Sequence, residues 1–151
     1  IAFLKDPNLA MPTIVGITAW KGFGYTLTLL VAAVLNIPES QYEAAEMDGA
    51  NSWKKFSKIT VPSIMPTISF CIVTTTISSM QVFDQTYVMT QGGPLYRTET
   101  LVQYIYDRGF QTAPYDIGYA SAISVYLFLI VAVITFVLRK YVLDRGEIKN
   151  A

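Results

Sequence analysis

The stretch PESQYEAAEMDGANSWKKFSKITVP, Pro38–Pro62, lies between two strongly apolar runs and carries both charge signs. Its residues read as two short helices. Pro38 ends the preceding run, because proline cannot continue a helix ladder. Ser40 is the expected N-cap, with Glu43 three residues later in capping-box spacing. Ala44, Ala45 and Met47 favour helix. Gly49 is the expected stop, since it accepts a left-handed conformation without a Cβ penalty. A second, amphipathic helix follows, with Trp53 and Phe56 on one face and Lys54, Lys55 and Lys58 around the other. Pro62 is expected to open the next apolar run, where a missing N–H costs little. Ala44, Ala45 and Gly49 make a slim helix that suits a cleft. Glu43, Glu46 and Asp48 give it charge for a partner surface, although an interfacial connector would read the same way.

Outward from this stretch, three segments are long and apolar enough to span a bilayer, at about 13–37, 62–83 and 117–138. A hydrocarbon core of about 30 Å needs about 20 residues at 1.5 Å each. No charged residue occurs in 62–83 or 117–138. A soluble helix of that length would show a polar face at helical period. The expected fold is therefore an all-α membrane protein with three spanning helices, a loop at 38–61, a longer loop at 84–116 and a tail at 139–151. The chain starts at Ile1 without an initiator Met, so a C-terminal fragment with upstream spans missing is expected. Lys21 interrupts the first span beside Trp20, Gly22 and Gly24. It reads as snorkelling to the headgroups near an outer end, or as lining a water-filled vestibule.

The basic residues suggest an orientation. Lys54, Lys55, Lys58, Arg139, Lys140, Arg145 and Lys149 fall on one side, seven of the eleven Lys and Arg residues; Lys5, Arg97, Arg108 and Lys21 fall on the other. The richer side is expected to be cytoplasmic, which places loop 38–61 and the C-terminus inside.

Composition excludes several functions. Only 15% of the residues are charged and 52% are hydrophobic, against about a quarter charged in an average soluble domain. Net charge is zero, which gives no basic field for nucleic acid. There is no histidine, the commonest general base and metal ligand. The lone Cys71 sits in an apolar stretch and reads as a small buried residue. No Gly-rich phosphate loop ending in Lys-Ser or Lys-Thr occurs. The chain is thus expected to bind no cofactor or metal and to catalyse no reaction.

Glu43-Ala44-Ala45, then Gly49, then Ile59-Thr60-Val61-Pro62 resembles the signature loop of binding-protein-dependent ABC importer permeases, the MetI-like superfamily. That pattern is Glu-Ala-Ala, three residues, Gly, nine residues, then Ile-x-Leu-Pro, and both spacings match. Val61 replaces leucine, a conservative apolar change. The resemblance implies a MetI-like transmembrane helix bundle with short cytoplasmic coupling helices, seated in a bacterial or archaeal cytoplasmic membrane. It implies as partners an ABC ATPase dimer, a second permease subunit and an extracytoplasmic solute-binding protein. ATP and Mg would be used by the ATPase subunits. Glu43, Ala44, Ala45, Asp48 and Gly49 would dock on the ATPase, and Ile59 and Pro62 would anchor the loop to the next span.

The second half narrows the resemblance. Phe83-Asp84-Gln85-Thr86-Tyr87, Gly92-Gly93-Pro94, Thr98-Glu99-Thr100, Tyr104-Ile105-Tyr106 and Gly118-Tyr119-Ala120-Ser121-Ala122 together resemble carbohydrate-importer permeases related to the larger maltose-permease subunit and the glycerol-phosphate permease. A sugar or polyol cargo is implied, with glycerol phosphate or another small solute as the alternative. The second span also carries eight Ser or Thr residues between Ser63 and Ser79. Thr74, Ser78, Gln81 and Gln85 fall on one face of a continuous helix. With Asp84 and Tyr87 they are the expected lining of a sugar path, since polar side chains in a membrane face the bundle or water. Hydroxyls bonding back to their own helix are the competing explanation. Leu101, Val102, Tyr104 and Ile105 suggest an amphipathic helix on the outer interface. An ion-coupled carrier or channel is the other functional class, but the second and third spans lack the intramembrane charges such a carrier uses.

Overall fold

A computed structural model describes residues 2–147, with side chains through Lys140. Lys149, assigned above to the cytoplasmic side, lies outside the described residues, as does the end of the expected tail. All regular structure among the described residues is helical: α1 (Ala10–Leu35), α2 (Glu39–Met47), α3 (Ser52–Lys55), a π-helical turn (Phe56–Thr60), α4 (Val61–Met80), α5 (Asp84–Met89), α6 (Leu101–Tyr106), a second π-helical turn (Asp107–Gln111) and α7 (Ile117–Glu147). Among the described residues, three helical segments are long and apolar enough to cross a membrane: Ala10–Leu35, Ser52–Met80 and Ile117–Lys140. Only 6% of the most apolar part of the first and third is buried inside the protein. Large apolar side chains such as Phe128, Val133 and Phe136 are exposed. Such a surface suits lipid or neighbouring helices rather than water.

The chain forms two packed units. One comprises the chain up to Gly22 together with Thr75–Phe136; the other comprises Phe23–Thr74 together with the chain from Val137 onward.

In the first unit the connection between α4 and α7 is tied by threonines. Thr100 Oγ1 donates to Val82 O at 2.7 Å, and Thr98 Oγ1 donates to Gly93 O at 2.6 Å. Thr90 Oγ1 lies 2.6 Å from Thr98 Oγ1. Thr86 and Thr98 are fully buried. Gly92 has φ +81°, and a Cβ there would stand 3.0 Å from the buried Gln103 Nε2. Thr100 also caps α6, accepting from Gln103 N at 3.3 Å.

In the second unit, α2 ends on Gly49, whose φ is +73°. Gly49 N donates to Glu46 O and Ala50 N to Ala45 O, each at 2.9 Å, which satisfies carbonyls that a helix end leaves open. Asn51 then caps α3, its side chain accepting from Lys54 N at 2.9 Å.

Two local expectations are corrected. Ser40 is not the N-cap. Pro38 holds that position, with φ −59° and ψ 131°, no side chain caps the helix, and Ser40 lies inside α2. Proline has no N–H to satisfy, and its carbonyl accepts from Gln41 N at 3.1 Å. Nor does Pro62 begin a helix. Helix runs without interruption from Ser52 to Met80, through the π-helical turn. Without an N–H, Pro62 cannot pair with the carbonyl four residues back, and its ring crowds that carbonyl. The ladder instead widens just ahead of it, with Val61 N bonded to Phe56 O.

Two substitutions test the threonine knot. Thr98→Val leaves the Gly93 carbonyl without its buried donor, while Thr90 Oγ1 keeps the Thr86 carbonyl, a loss of about 1–3 kcal/mol. Gly92→Ala forces a left-handed alanine, costing about 1–2 kcal/mol, and displaces Gln103 as well. Both should lower the thermal midpoint of the detergent-purified protein by several degrees, and Thr98→Ser should not.

Candidate functional site

The loop residues Glu43, Ala44, Ala45, Asp48 and Gly49 lie together on α2 and the turn that closes it. Glu43, Ala44, Asp48 and Gly49 are exposed, and Ala45 is half-buried. No Cβ placed on Gly49 would meet another atom, so the tip of the turn is open. The segment presents a thin ridge of backbone flanked by carboxylates. Ile59 lies in the π-helical turn and Pro62 in the first turn of α4, both half-buried. Trp53 and Phe56 share a face, with ring centroids 5.8 Å apart.

Two side-chain contacts join α2 to the helix that follows. Lys55 Nζ forms an ion pair with Glu46 Oε1. Hydrogen bonding to the Lys55 ammonium, then its charge, holds the Glu46 carboxyl below its ordinary value. Tyr42 OH lies 2.8 Å from Thr60 Oγ1. Neither Tyr42 nor Thr60 stands out in the sequence. A phenol and a hydroxyl eighteen residues apart have no periodic signature linking them.

The expected path residues are less continuous than a single helix face. Thr74 and Ser78 are one turn apart on α4. The helix stops at Met80, however, and Gln81, Val82 and Phe83 separate it from α5. Gln81 is therefore in the break, while Asp84, Gln85 and Tyr87 belong to a different helix. Within this break Thr100 Oγ1 donates to the Val82 carbonyl. Thr74 Oγ1 is turned onto its own helix, 2.8 Å from Phe70 O and 3.2 Å from Cys71 O. Ser78, Gln81 and Asp84 are exposed, and Gln85 is half-buried.

Tyr87 does have a structured setting. Phe83 stacks on it at 5.1 Å between centroids, and Tyr106 meets it edge-on at 5.3 Å. Gln111 Nε2 donates to both phenol oxygens, at 3.2 Å to Tyr87 and 3.1 Å to Tyr106. The adjacent Tyr106 hydroxyl, with smaller effects from burial and Asp107, holds the Tyr87 phenol above its ordinary value. As a phenol, the Tyr87 hydroxyl can both donate and accept. Phe83 and Tyr106 carry no sequence pattern that joins them to Tyr87. Gln111 carried no signal, because it reaches the rings only through the second π-helical turn.

A separate cavity of about 390 Å³ is lined by Tyr104, Arg108, Asp116 and Tyr119 among others, with the Arg108 guanidinium 5.2 Å over the Tyr104 ring. Lys21 is the twelfth residue of α1. That is about 17 Å along the helix, nearer its middle than the outer end expected above. Among the described residues, no three His, Cys, Asp or Glu side chains come together as metal ligands.

Comparison with known proteins agrees with the loop pattern. The family described as "Binding-protein-dependent transport system inner membrane component" matches residues 1–145. The lactose transport system permease protein of Rhizobium radiobacter is 40% identical over 138 residues, covering 90% of this chain and 46% of that protein. The sulfoquinovosyl glycerol transport system permease protein of Agrobacterium fabrum is 36% identical over 137 residues, covering 91% of this chain and 44% of its own length. A Thermoanaerobacterium thermosulfurigenes protein, named "Probable starch degradation products transport system permease protein", is 32% identical over 147 residues, with 97% and 49% covered. The chain spans about half the length of each of these relatives. With a family match over residues 1–145, three long apolar helices among the described residues and a matched loop, the chain belongs to the binding-protein-dependent transport system inner membrane components, the MetI-like ABC permeases.

Proposed function

We propose that this chain is part of a membrane-spanning permease subunit of an ATP-driven importer, and that its cargo is a sugar or related polyol handed over by a solute-binding protein. The hairpin of α2, Gly49 and α3 carries this reading. Its exposed ridge of Glu43, Ala44, Asp48 and Gly49 fits a cleft in an ATPase subunit, with Ala45 supporting it from within. Ile59 and Pro62 would pass the movement on to α4. The ATPase dimer would bind and hydrolyse ATP with Mg, and this chain would bind no cofactor itself. A second permease subunit would complete the pathway. The membrane would be the cytoplasmic membrane of a bacterium or archaeon. The distribution of Lys and Arg supports a cytoplasmic hairpin and C-terminus.

The carbohydrate reading is supported by the names of the relatives, which refer to lactose, a sulfoquinovosyl glycerol and starch degradation products. Sugars are held by hydrogen bonds to hydroxyls and by ring stacking. Gln81, Asp84, Gln85 and Tyr87 offer both kinds of contact, and Tyr87 brings the ring cluster with it. Thr74 and Ser78 continue the polar path into α4. Glycerol phosphate or another small solute is the alternative cargo. The ion-coupled alternative leaves the hairpin without a purpose.

In liposomes containing the full complex, loaded solute-binding protein should stimulate ATP hydrolysis and drive uptake. Uptake driven by an ion gradient without ATP would overturn the reading. Gly49→Leu places a bulky side chain at φ +73° on the open tip, at a backbone cost of about 1–2 kcal/mol. It should reduce uptake at least tenfold while membrane insertion is unchanged. Gln81→Ala and Asp84→Ala should each alter uptake rate or substrate preference; unchanged values for both would remove them from the path.

A further inference from the structure

Tyr42 and Glu46 are one turn apart on α2, so they project from the same side. Their partners, Thr60 and Lys55, are five residues apart on the helix that follows. The pairs run in opposite order, so the two helices lie antiparallel through this region. In a regular α-helix, residues five apart point roughly 140° away from each other. They could not both face α2. The π-helical turn at Phe56–Thr60 lies between them and absorbs one residue. This brings Lys55 and Thr60 to roughly the 40° offset of an i, i+4 pair. The widened turn ahead of Pro62 thus sets the register of a two-point contact. Tyr42 and Thr60 are half-buried, and Lys55 is shielded while Glu46 is exposed. The ion pair alone is a weak tie at a surface, which leaves the hydroxyl pair as the more protected contact.

We propose that Tyr42 and Thr60 are positioning residues, whose hydrogen bond fastens α2 to the head of α4 so that the hairpin and the span move as one piece. This rests on the ATPase-coupling reading of the hairpin. Neither residue need touch the ATPase or the cargo. With the bond absent, α2 would still dock, but its displacement would be taken up in the Asp48–Asn51 turn before reaching α4.

The test uses the full-length subunit in its assembled complex, reconstituted in liposomes, and measures solute taken up per ATP hydrolysed in the presence of loaded binding protein. Tyr42→Phe removes only the phenol oxygen and Thr60→Val only the hydroxyl. Each should lower uptake per ATP about threefold while stimulated ATP hydrolysis stays near wild type. The double variant should be no worse than either single one, and Thr60→Ser should behave as wild type. If uptake and hydrolysis fall together with their ratio unchanged, the contact serves only stability and the proposal is wrong. Losses that multiply in the double variant would also overturn it, because the residues would then act separately. Should one variant fail to assemble, the other decides by the same ratio. If both variants keep the wild-type ratio while Gly49→Leu still blocks uptake, the clamp fails but the coupling hairpin stands. If Gly49→Leu is also harmless, the coupling reading itself fails.

Discussion

Hydrocarbon offers no hydrogen-bond partner to a peptide group, so a chain crossing it must satisfy every N–H and C=O from within. The three long helices follow from that constraint, and so does the treatment of their polar side chains. Thr18 donates to Ile14 O, Thr28 to Gly24 O, Ser69 to Met65 O and Ser124 to Ala120 O. Each hydroxyl closes on the preceding turn of its own helix. A segment can therefore be rich in Ser and Thr and still be compatible with lipid. The abundance of hydroxyls in α4 is not by itself a sign of an aqueous path, as Thr74 illustrates.

Where the ladder stops, each stop has its own set of partners. Gly49 turns left-handed and Asn51 restarts the helix, so the break between α2 and α3 is short and hydrogen-bonded. At the other end of α4, Thr100 takes the Val82 carbonyl, and Thr86 Oγ1 and Tyr87 N both donate to Phe83 O. Asp116 opens α7, accepting from Tyr119 N at 3.0 Å. The elements proposed to dock or to line a path begin or end at such stops. There the backbone can leave the helix without losing its hydrogen bonds.

The parts legible in the sequence were those governed by local chemistry. Runs of apolar residues without charge at 62–83 and 117–138 mark helices that the structure contains, and Gly49 marks a turn that it forms. The parts that were not legible depend on distant partners. Nothing near Gln81 announces that α4 ends there, and Thr100, which holds the Val82 carbonyl in the break, lies eighteen residues further along the chain. Ser40 has the right chemistry for a cap, but Pro38 already supplies a start that needs none. Pro62 reads as a helix start by its own preference, yet one widened turn lets the helix run through it. For the proposed site, the docking ridge followed from Glu43 to Gly49 as a local pattern. The Tyr87 ring cluster required the chain to fold back through Tyr106 and Gln111.

The threonine knot has a consequence for biogenesis. Its bonds join residues close in sequence: Thr90 with Thr98, Gly93 with Thr98, and Val82 with Thr100. Closing such short loops costs little chain entropy. Every bond of the knot lies between Val82 and Gln103, so it can close without any residue of α7. Beyond the knot the connection does draw on α7: Tyr104 meets Tyr119 edge-on, and Gly109 leaves no room for a Cβ beside Ala120. α7 can then insert beside a preformed knot and complete the packing of the stretch that follows it.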